Sequence, residues 1–242
     1  MRPVDVVILA GGLGTRVQSV LGERPKPMAM ILGRPFLDLL IADLKHHGFS
    51  RFILCVGHRR EQIIEHYRER GDAEYVISEE DRPLGTGGAV RHAAEFFQTD
   101  PILVLNGDSF CPVDYPRFLA FHNANRAIVS IVVAPPHGRA DGGTTVLDVD
   151  GRILRFEEKL TITDSAQIYI NAGIYLMDRN LPRSWGHEIP FSLEREVFPD
   201  LIATQRCYGF AVHTEIVDIG TPERYGEAER KIQATACRTR NS

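Results

Sequence analysis

The residues best placed to do chemistry stand near the start of the chain. The segment Leu9-Ala10-Gly11-Gly12-Leu13-Gly14-Thr15-Arg16 closes an apolar run, Val4–Ala10, that only Asp5 interrupts. Three glycines directly after a buried strand let the backbone turn sharply and bring its amide N–H groups close to an anion. Arg16 ends this loop. Lys26 follows ten residues on, pinned between Pro25 and Pro27. Two cations at the mouth of such a loop suit a polyphosphate. The common phosphate loops do not match. The dinucleotide fingerprint needs a further glycine where Val17 stands and an acidic residue where the second strand runs into Gly57-His58, and the Walker pattern Gly-Lys-Ser/Thr is absent. Asp108 follows Asn106-Gly107 at the end of a buried strand, the position where open α/β sheets present groups to ligands. Asp218 ends the strand-like Glu215–Asp218, just before Gly220. Read alone, either aspartate serves a turn or a helix cap as readily.

These residues need a scaffold, and the hydrophobic pattern supplies one. Val4–Ala10, Arg51–Val56, Glu74–Ile77 and Pro101–Leu105 read as strands, and Pro35–His47, Glu61–Arg70 and Ala89–Phe97 as the helices between them. Gly48 is a good C-terminal cap for the first helix. Strands alternating with helices at this spacing predict βαβ units and a parallel sheet. The second half changes character. Ile128–Ala134, Thr144–Val149, Arg152–Glu157 and Ile168–Leu176 are strand-like, and a turn at residues 148–151 makes a hairpin of two of them. A helix near Ser192–Phe198 and a last one from Pro222 to about Gln233 close the pattern. The expected fold is α/β: a Rossmann-like, mixed but mainly parallel central sheet flanked by helices. It forms a single domain over residues 1–242, with a parallel nucleotide-binding half (1–110) and a more antiparallel second half (111–242).

Composition narrows the function. The 242 residues carry 28 Lys and Arg against 32 Asp and Glu, a formal charge of −4, so no basic surplus exists for binding nucleic acid. No apolar stretch approaches the ~20 residues that span a bilayer. The N-terminus reads as a strand and not as a secretory signal. Cys55, Cys111, Cys207 and Cys237 lie far apart without Cys-x-x-Cys spacing, as expected of thiols in a cytoplasmic protein. The nine histidines show no metal-ligand spacing, and the sequence leaves a homodimer open.

At this point the loop and its Pro25-Lys26-Pro27-Met28 sequel resemble the signature of the sugar-1-phosphate nucleotidyltransferases. Pro83-Leu84-Gly85-Thr86-Gly87-Gly88-Ala89, Asn106-Gly107-Asp108, Glu157-Glu158-Lys159, Asn171 to Tyr175 and Asp218 to Glu223 continue the resemblance, in the family's order, over nearly the whole chain. The resemblance implies the nucleotide-diphospho-sugar transferase type of fold. It also implies attack by a sugar 1-phosphate oxygen on the α-phosphorus of a nucleoside triphosphate, with release of pyrophosphate. Such a phosphate is largely ionised at neutral pH, because its second pKa is ~6. A general base is therefore unnecessary, and positioning with charge neutralisation carries the reaction. By the same resemblance Asp108 and Asp218 are Mg²⁺ ligands, Arg16 meets the departing phosphates, Lys26 lies near the transferring one, and Lys159 grips the sugar phosphate. Leu9, Ala10, Gly11, Gly12, Gly14, Thr15, Pro83, Gly85, Thr86 and Gly88 line the nucleotide side. Gly143, Glu158 and Asn171 face the sugar.

Base choice falls to the segment Ser78 to Pro83. Relatives that transfer uridylyl or thymidylyl groups tend to place a Gln here, whereas this chain offers Glu79 and Glu80. An ionised carboxylate only accepts hydrogen bonds. It suits the adjacent N1–H and N2–H₂ donors of guanine and repels the O2 and O4 of uracil or thymine, so GTP is expected, through one or the other glutamate. The wording of Gly33 to Leu37, Pro83 to Ala89 and Asp218 to Glu223, in a short chain, most resembles the D-glycero-α-D-manno-heptose 1-phosphate guanylyltransferases, which make GDP-heptose for bacterial surface polysaccharides. Mannose-1-phosphate guanylyltransferases commonly carry a further C-terminal domain, and MurNAc-1-phosphate uridylyltransferases are similarly short. Residues 160–167 and 183–190 follow no firm family pattern and are expected to border the sugar pocket. A catalytically silent sugar-nucleotide sensor on the same fold would have lost at least one of the metal carboxylates or phosphate cations, and Asp108, Asp218, Arg16, Lys26 and Lys159 are all present.

Overall fold

The computed structural model describes residues 3–136, 143–157, 168–204 and 206–239, with side chains in the last helix described as far as Gln233. Nine strands form one sheet. They are β1 (Val6–Leu9), β2 (Arg51–Val56), β3 (Glu74–Glu79), β4 (Ile102–Asn106), β5 (Val129–Ala134), β6 (Thr144–Leu147), β7 (Ile153–Glu157), β8 (Ile168–Met177) and β9 (Cys207–Ala211). The main row runs β3-β2-β1-β4-β8-β5-β9. β1 pairs in parallel with β2 and β4, β2 with β3, and β5 with β9. β8 runs antiparallel to β4 and β5, and the β6–β7 hairpin docks on its first residues, Ile168–Ile170. Within this mixed sheet only β7 and β8 run against the rest, so it is mainly parallel, as expected.

Helices cover both faces: α1 (Phe36–His46), α2 (Arg60–Arg68), α3 (Gly85–Ala93), α4 (Tyr115–Ala124), α5 (Phe198–Thr204) and α6 (Pro222–Thr239). Successive strand side chains point to opposite faces, so one strand feeds two cores. Val6, Ile8, Phe52, Leu54, Leu103 and Leu105 pack on one side with α1, α2, α4 and α6. Val7, Ile53, Cys55, Ile102 and Val104 pack on the other with α3, α5 and Trp185. Asp5, the charge inside the first apolar run, is 1% exposed. It is paired with Arg51 at 2.9 Å and accepts the Gln98 and Thr99 backbone N–H groups, which satisfies its burial.

Several elements differ from the sequence expectation. α3 starts at Gly85, four residues before the expected Ala89, because the glycines pack too closely on the Phe191 segment for side chains to intervene. α4 and β9 lie in stretches without a strong periodic signal. α4 buries only Tyr115, Phe118 and His122, and β9 contains Gly209, where the Leu147 side chain occupies the space a Cβ would need. The helix expected near Ser192–Phe198 is a π-type turn, Leu193–Val197, that runs on into α5, and the last helix continues to Thr239. Residues 183–190 do not line the large cavity at the strand ends. Arg91 of α3 donates to the Trp185 and His187 carbonyls, at 2.8 and 2.9 Å, and holds that segment against the helix. Residues 160–167 lie outside the described residues. Cys55, Cys111 and Cys207 are buried free thiols. Among the described residues no helix is long and apolar enough to cross a membrane.

Candidate active site

The carboxyl ends of β1, β2, β3 and β4 open onto one cavity of about 750 Å³. Its floor is the glycine loop that leaves β1. Ala10 N–H donates to the Cys55 carbonyl (2.8 Å), His58 N–H to the Gly11 carbonyl (3.2 Å) and Gly107 N–H to the Leu9 carbonyl (2.9 Å), so three strand ends are stitched together here. A Cβ on Gly11 would sit 2.8 Å from Glu80 Oε1 and 3.1 Å from the Gly57 nitrogen. Only glycine allows this approach. Leu9, Ala10, Gly11, Gly12, Gly14, Thr15, Arg16, Lys26, Glu80, Pro83, Gly85, Thr86 and Asp108 all line the cavity.

One end of the cavity is charged. Lys26, in the short turn Lys26–Met28, places its ammonium 2.6 Å from Asp108 Oδ2. A two-stranded ribbon brings the second aspartate alongside. Asp218 pairs with Ser109 across it, and Ile219 N–H donates to the Asp108 carbonyl at 3.2 Å. Asp218 also accepts the Gly220 N–H at 2.8 Å and lies 3.4 Å from the Arg224 guanidinium. A Cβ on Gly220 would fall 2.8 Å from Asp218 Oδ1, 3.5 Å from Lys26 Nζ and 3.9 Å from Arg16 Nη2. The two cations and two carboxylates therefore converge on Gly220, from loops far apart in sequence. No group of three or more His, Cys, Asp or Glu side chains suited to a metal occurs among the described residues. Two carboxylates, with further positions left to phosphate oxygens and water, are a donor set that fits a hard divalent cation.

The other end is set by the loop after β3. Glu80 faces Gly11 with one carboxylate oxygen and accepts the Leu84 N–H (3.2 Å) with the other. Burial pushes its carboxyl above the usual range, against the opposing pull of that N–H and of His92. Glu79 does not line the cavity. It is exposed and pairs with Arg60 at 3.3 Å. Arg60 also donates to the Glu80 carbonyl (2.9 Å) and to Asp81 (3.1 Å) and so fixes the loop. Nothing in the sequence pattern pointed to Arg60, because its partners are backbone and loop acids twenty residues away.

The Gly85–Gly88 block plays a different part from a phosphate loop. The Phe191 carbonyl already accepts the Gly87 and Gly88 N–H groups, at 3.0 and 3.3 Å. Gly88 lies behind the cavity wall, against Leu84, Phe191 and Ile189. The Thr86 hydroxyl donates to Glu194 Oε2 (2.7 Å) and accepts the Leu193 N–H (2.8 Å), so it is turned toward the protein. On the sugar side, Gly143 is buried against the Phe156 ring, and its carbonyl accepts the Asn171 N–H at 2.8 Å. Asn171 itself is tied to Tyr175 and Gly173. Asn106, on the cavity wall, keeps a buried Oδ1 with no hydrogen-bond partner among the described residues. Glu158 and Lys159 lie outside the described residues.

Comparison with known proteins accords with this geometry. The nucleotidyl transferase family profile matches residues 5–235. The D-glycero-alpha-D-manno-heptose 1-phosphate guanylyltransferase of Aneurinibacillus thermoaerophilus is 30% identical, over 95% of this chain and 99% of that one. The mannose-1-phosphate guanylyltransferase of Mycobacterium tuberculosis is 35% identical, over 92% of this chain but 62% of that one. Among solved structures, HddC from Yersinia pseudotuberculosis complexed with GMP-PN superposes with a TM-score of 0.81 at 32% identity, covering 95% of this chain and 99% of that one.

Proposed function

The chain belongs to the nucleotidyl transferase family and is an enzyme of that type, and from that premise we propose that it transfers a guanylyl group from GTP to D-glycero-α-D-manno-heptose 1-phosphate. The observation that carries the reading is the cavity itself. It holds an acceptor-only carboxylate, Glu80, at one end and the Arg16, Lys26 and Asp108 charges at the other, with the glycine loop between them. That layout matches a guanine edge and a triphosphate, and two relatives are named guanylyltransferases. Heptose is put first because the heptose-named relative aligns over 95% of this chain and 99% of its own length. Mannose 1-phosphate is the second reading, supported by the higher identity of the mannose-named relative.

In this reading residues 1–110 bind the nucleotide and residues 111–242 the sugar phosphate, with Gly220 reaching back into the nucleotide side. Glu80 accepts the guanine N1–H and N2–H₂. The glycine loop gives its amides to the phosphates, Arg16 meets the charge that leaves with pyrophosphate, and Lys26 lies near the transferring phosphate. Asn171, Gly143, Glu158 and Lys159 receive the sugar phosphate. Asp108 and Asp218 would hold a divalent cation, which we take to be Mg²⁺, and when bound it neutralises charge on the phosphate oxygens. The reading places the enzyme in the cytoplasm.

The test is pyrophosphate release with Mg²⁺, crossing GTP, UTP, dTTP, CTP and ATP with heptose, mannose, glucose and MurNAc 1-phosphates. Selective turnover of GTP with the heptose phosphate is the expected result. GTP with mannose phosphate alone would keep the base and replace the sugar. A preference for UTP or dTTP would overturn the Glu80 argument. Tight GDP-sugar binding without pyrophosphate release would leave a silent sensor.

A further inference from the structure

Glu194 stands outside every motif that the sequence carries, yet it gathers more hydroxyl groups than any other carboxylate among the described residues. Its Oε2 accepts from the Thr86 and Ser192 hydroxyls, each at 2.7 Å, and its Oε1 accepts from the Tyr175 hydroxyl at 3.1 Å. The chain continues. The Tyr175 oxygen accepts from Asn171 Nδ2 at 2.8 Å, and Asn171 Oδ1 accepts the Gly173 backbone N–H at 2.8 Å.

The direction of each bond is forced. An ionised carboxylate has no proton to give, so the Tyr175 hydroxyl must donate to it. Having spent its one proton, that oxygen can only accept from Asn171, which requires the NH₂ end of the amide. At the other end a backbone N–H can only donate, which requires the carbonyl end. Both constraints select one of the two orientations of the Asn171 amide. Tyr175 is fully buried, its ring 4.9 Å from that of Phe198, so it cannot swing to another acceptor. The Thr86 and Ser192 hydroxyls are similarly held, because each already accepts backbone N–H groups.

We propose that Glu194 is a positioning residue for the sugar phosphate: through Tyr175 it fixes which end of the Asn171 amide faces the substrate. The inference rests on the reading of Asn171 as a sugar contact. An amide locked in this way presents one remaining N–H and one remaining lone pair in set directions, and so selects among sugar hydroxyls. Without the carboxylate, Tyr175 is free to donate toward Asn171. The amide would then turn over and set its NH₂ against the Gly173 N–H, or alternate between two poor arrangements.

The experiment uses the full chain with three variants, Glu194→Met, Tyr175→Phe and Glu194→Gln. Steady-state pyrophosphate release gives KM for the sugar 1-phosphate that the wild type turns over, and calorimetric titration gives the dissociation constant of GTP. Met keeps the length of the side chain and removes the acceptor, while Phe removes the relay. Both are expected to raise the sugar KM about tenfold, the loss of roughly one hydrogen bond, with GTP affinity held within about twofold. Gln keeps an acceptor for Tyr175 while its NH₂ donates to the Thr86 oxygen, so it is expected to return the sugar KM close to the wild-type value. Unchanged sugar KM in the Met and Phe variants would overturn the inference, as would GTP affinity falling in step with sugar affinity. If Glu194→Met does not fold, Tyr175→Phe decides alone. An active wild type with unmoved variants would remove this inference only. A wild type that turns over no sugar 1-phosphate would remove the functional reading, and the inference with it.

Discussion

At the scale of single residues, the proposed chemistry depends on a few charges with distinct neighbours. Asp108 is held 2.6 Å from Lys26, so replacing it by Asn removes both a metal carboxylate and the partner of that cation. Turnover by Asp108→Asn is expected to fall about a hundredfold or more, as when other charge-stabilising groups are removed. Its melting temperature should stay near that of wild type, since the Asp108 side chain is 39% exposed and the amide oxygen of Asn can still accept from Lys26. A well-folded variant with near-normal turnover would refute the metal role. The two glutamates of the base loop are separable in the same way. Glu80 sits in the cavity wall, whereas Glu79 does not line the cavity and is paired with Arg60. Glu80→Gln is expected to lose preference for GTP over UTP by about tenfold or more, because an amide can donate to O4 where a carboxylate repels it. Glu79→Gln should leave that ratio unchanged. Preferences untouched in both would end the carboxylate account of base selection. The sequence could supply both glutamates but not the choice between them, since the choice depends on which side chain meets Gly11, about seventy residues away in the chain.

At the scale of elements, the glycines of the Gly85–Gly88 block show that a family motif can encode packing as well as binding. Gly85 has a φ of +75°, and a Cβ there would overlap the Phe191 backbone carbonyl. Gly85→Ala therefore meets conformational strain and a steric clash together, and is expected to lower unfolding stability by about 2–4 kcal/mol in urea titration. Gly226, exposed within α6 and with no atom within 4 Å of its would-be Cβ, is the control. There Gly→Ala should stabilise slightly through helix propensity. Equal effects at the two sites would contradict the packing role of Gly85. Strands and helices with strong apolar periodicity were legible in sequence: β1, β2, α1 and α2 fall within a few residues of their expected bounds. α4 was not, although Asp114 caps it by accepting the Arg117 N–H at 3.0 Å, because three widely spaced buried residues make a weak stripe. The Glu194 network was hidden for a stronger reason. Its members Thr86, Asn171, Tyr175 and Glu194 come from α3, β8 and the turn before α5, and no local spacing records that they meet.

At the scale of the whole molecule, the sequence conveyed the alternation of elements and the mainly parallel sheet, but not the insertion of β8 between β4 and β5. That insertion follows from long-range pairing, and it brings the Asn171–Tyr175 stretch beside the strand that ends at Asn106, just before Asp108. A buried histidine also has a global consequence. His122 on α4 is 5% exposed and hydrogen-bonds Ser130 of β5 at 2.9 Å. Burial lowers its pKa to about 4, against the weaker upward pull of Asp100 and Asp178. The folded chain thus keeps this imidazole neutral down to about pH 4, whereas the unfolded chain protonates it near 6.5. Between those values the unfolded state binds the extra proton, so stability falls as the pH falls through that window and is fully present above it. A separation of this size corresponds to about 2 kcal/mol lost on going from pH 7.5 to pH 5. His122→Gln retains a polar partner for Ser130 and cannot titrate. Its urea-unfolding free energy should therefore drop less than that of wild type over the same interval, by about that amount. Parallel losses in the two proteins would mean that the folded chain admits a proton at His122, and that α4 does not seal it against β5.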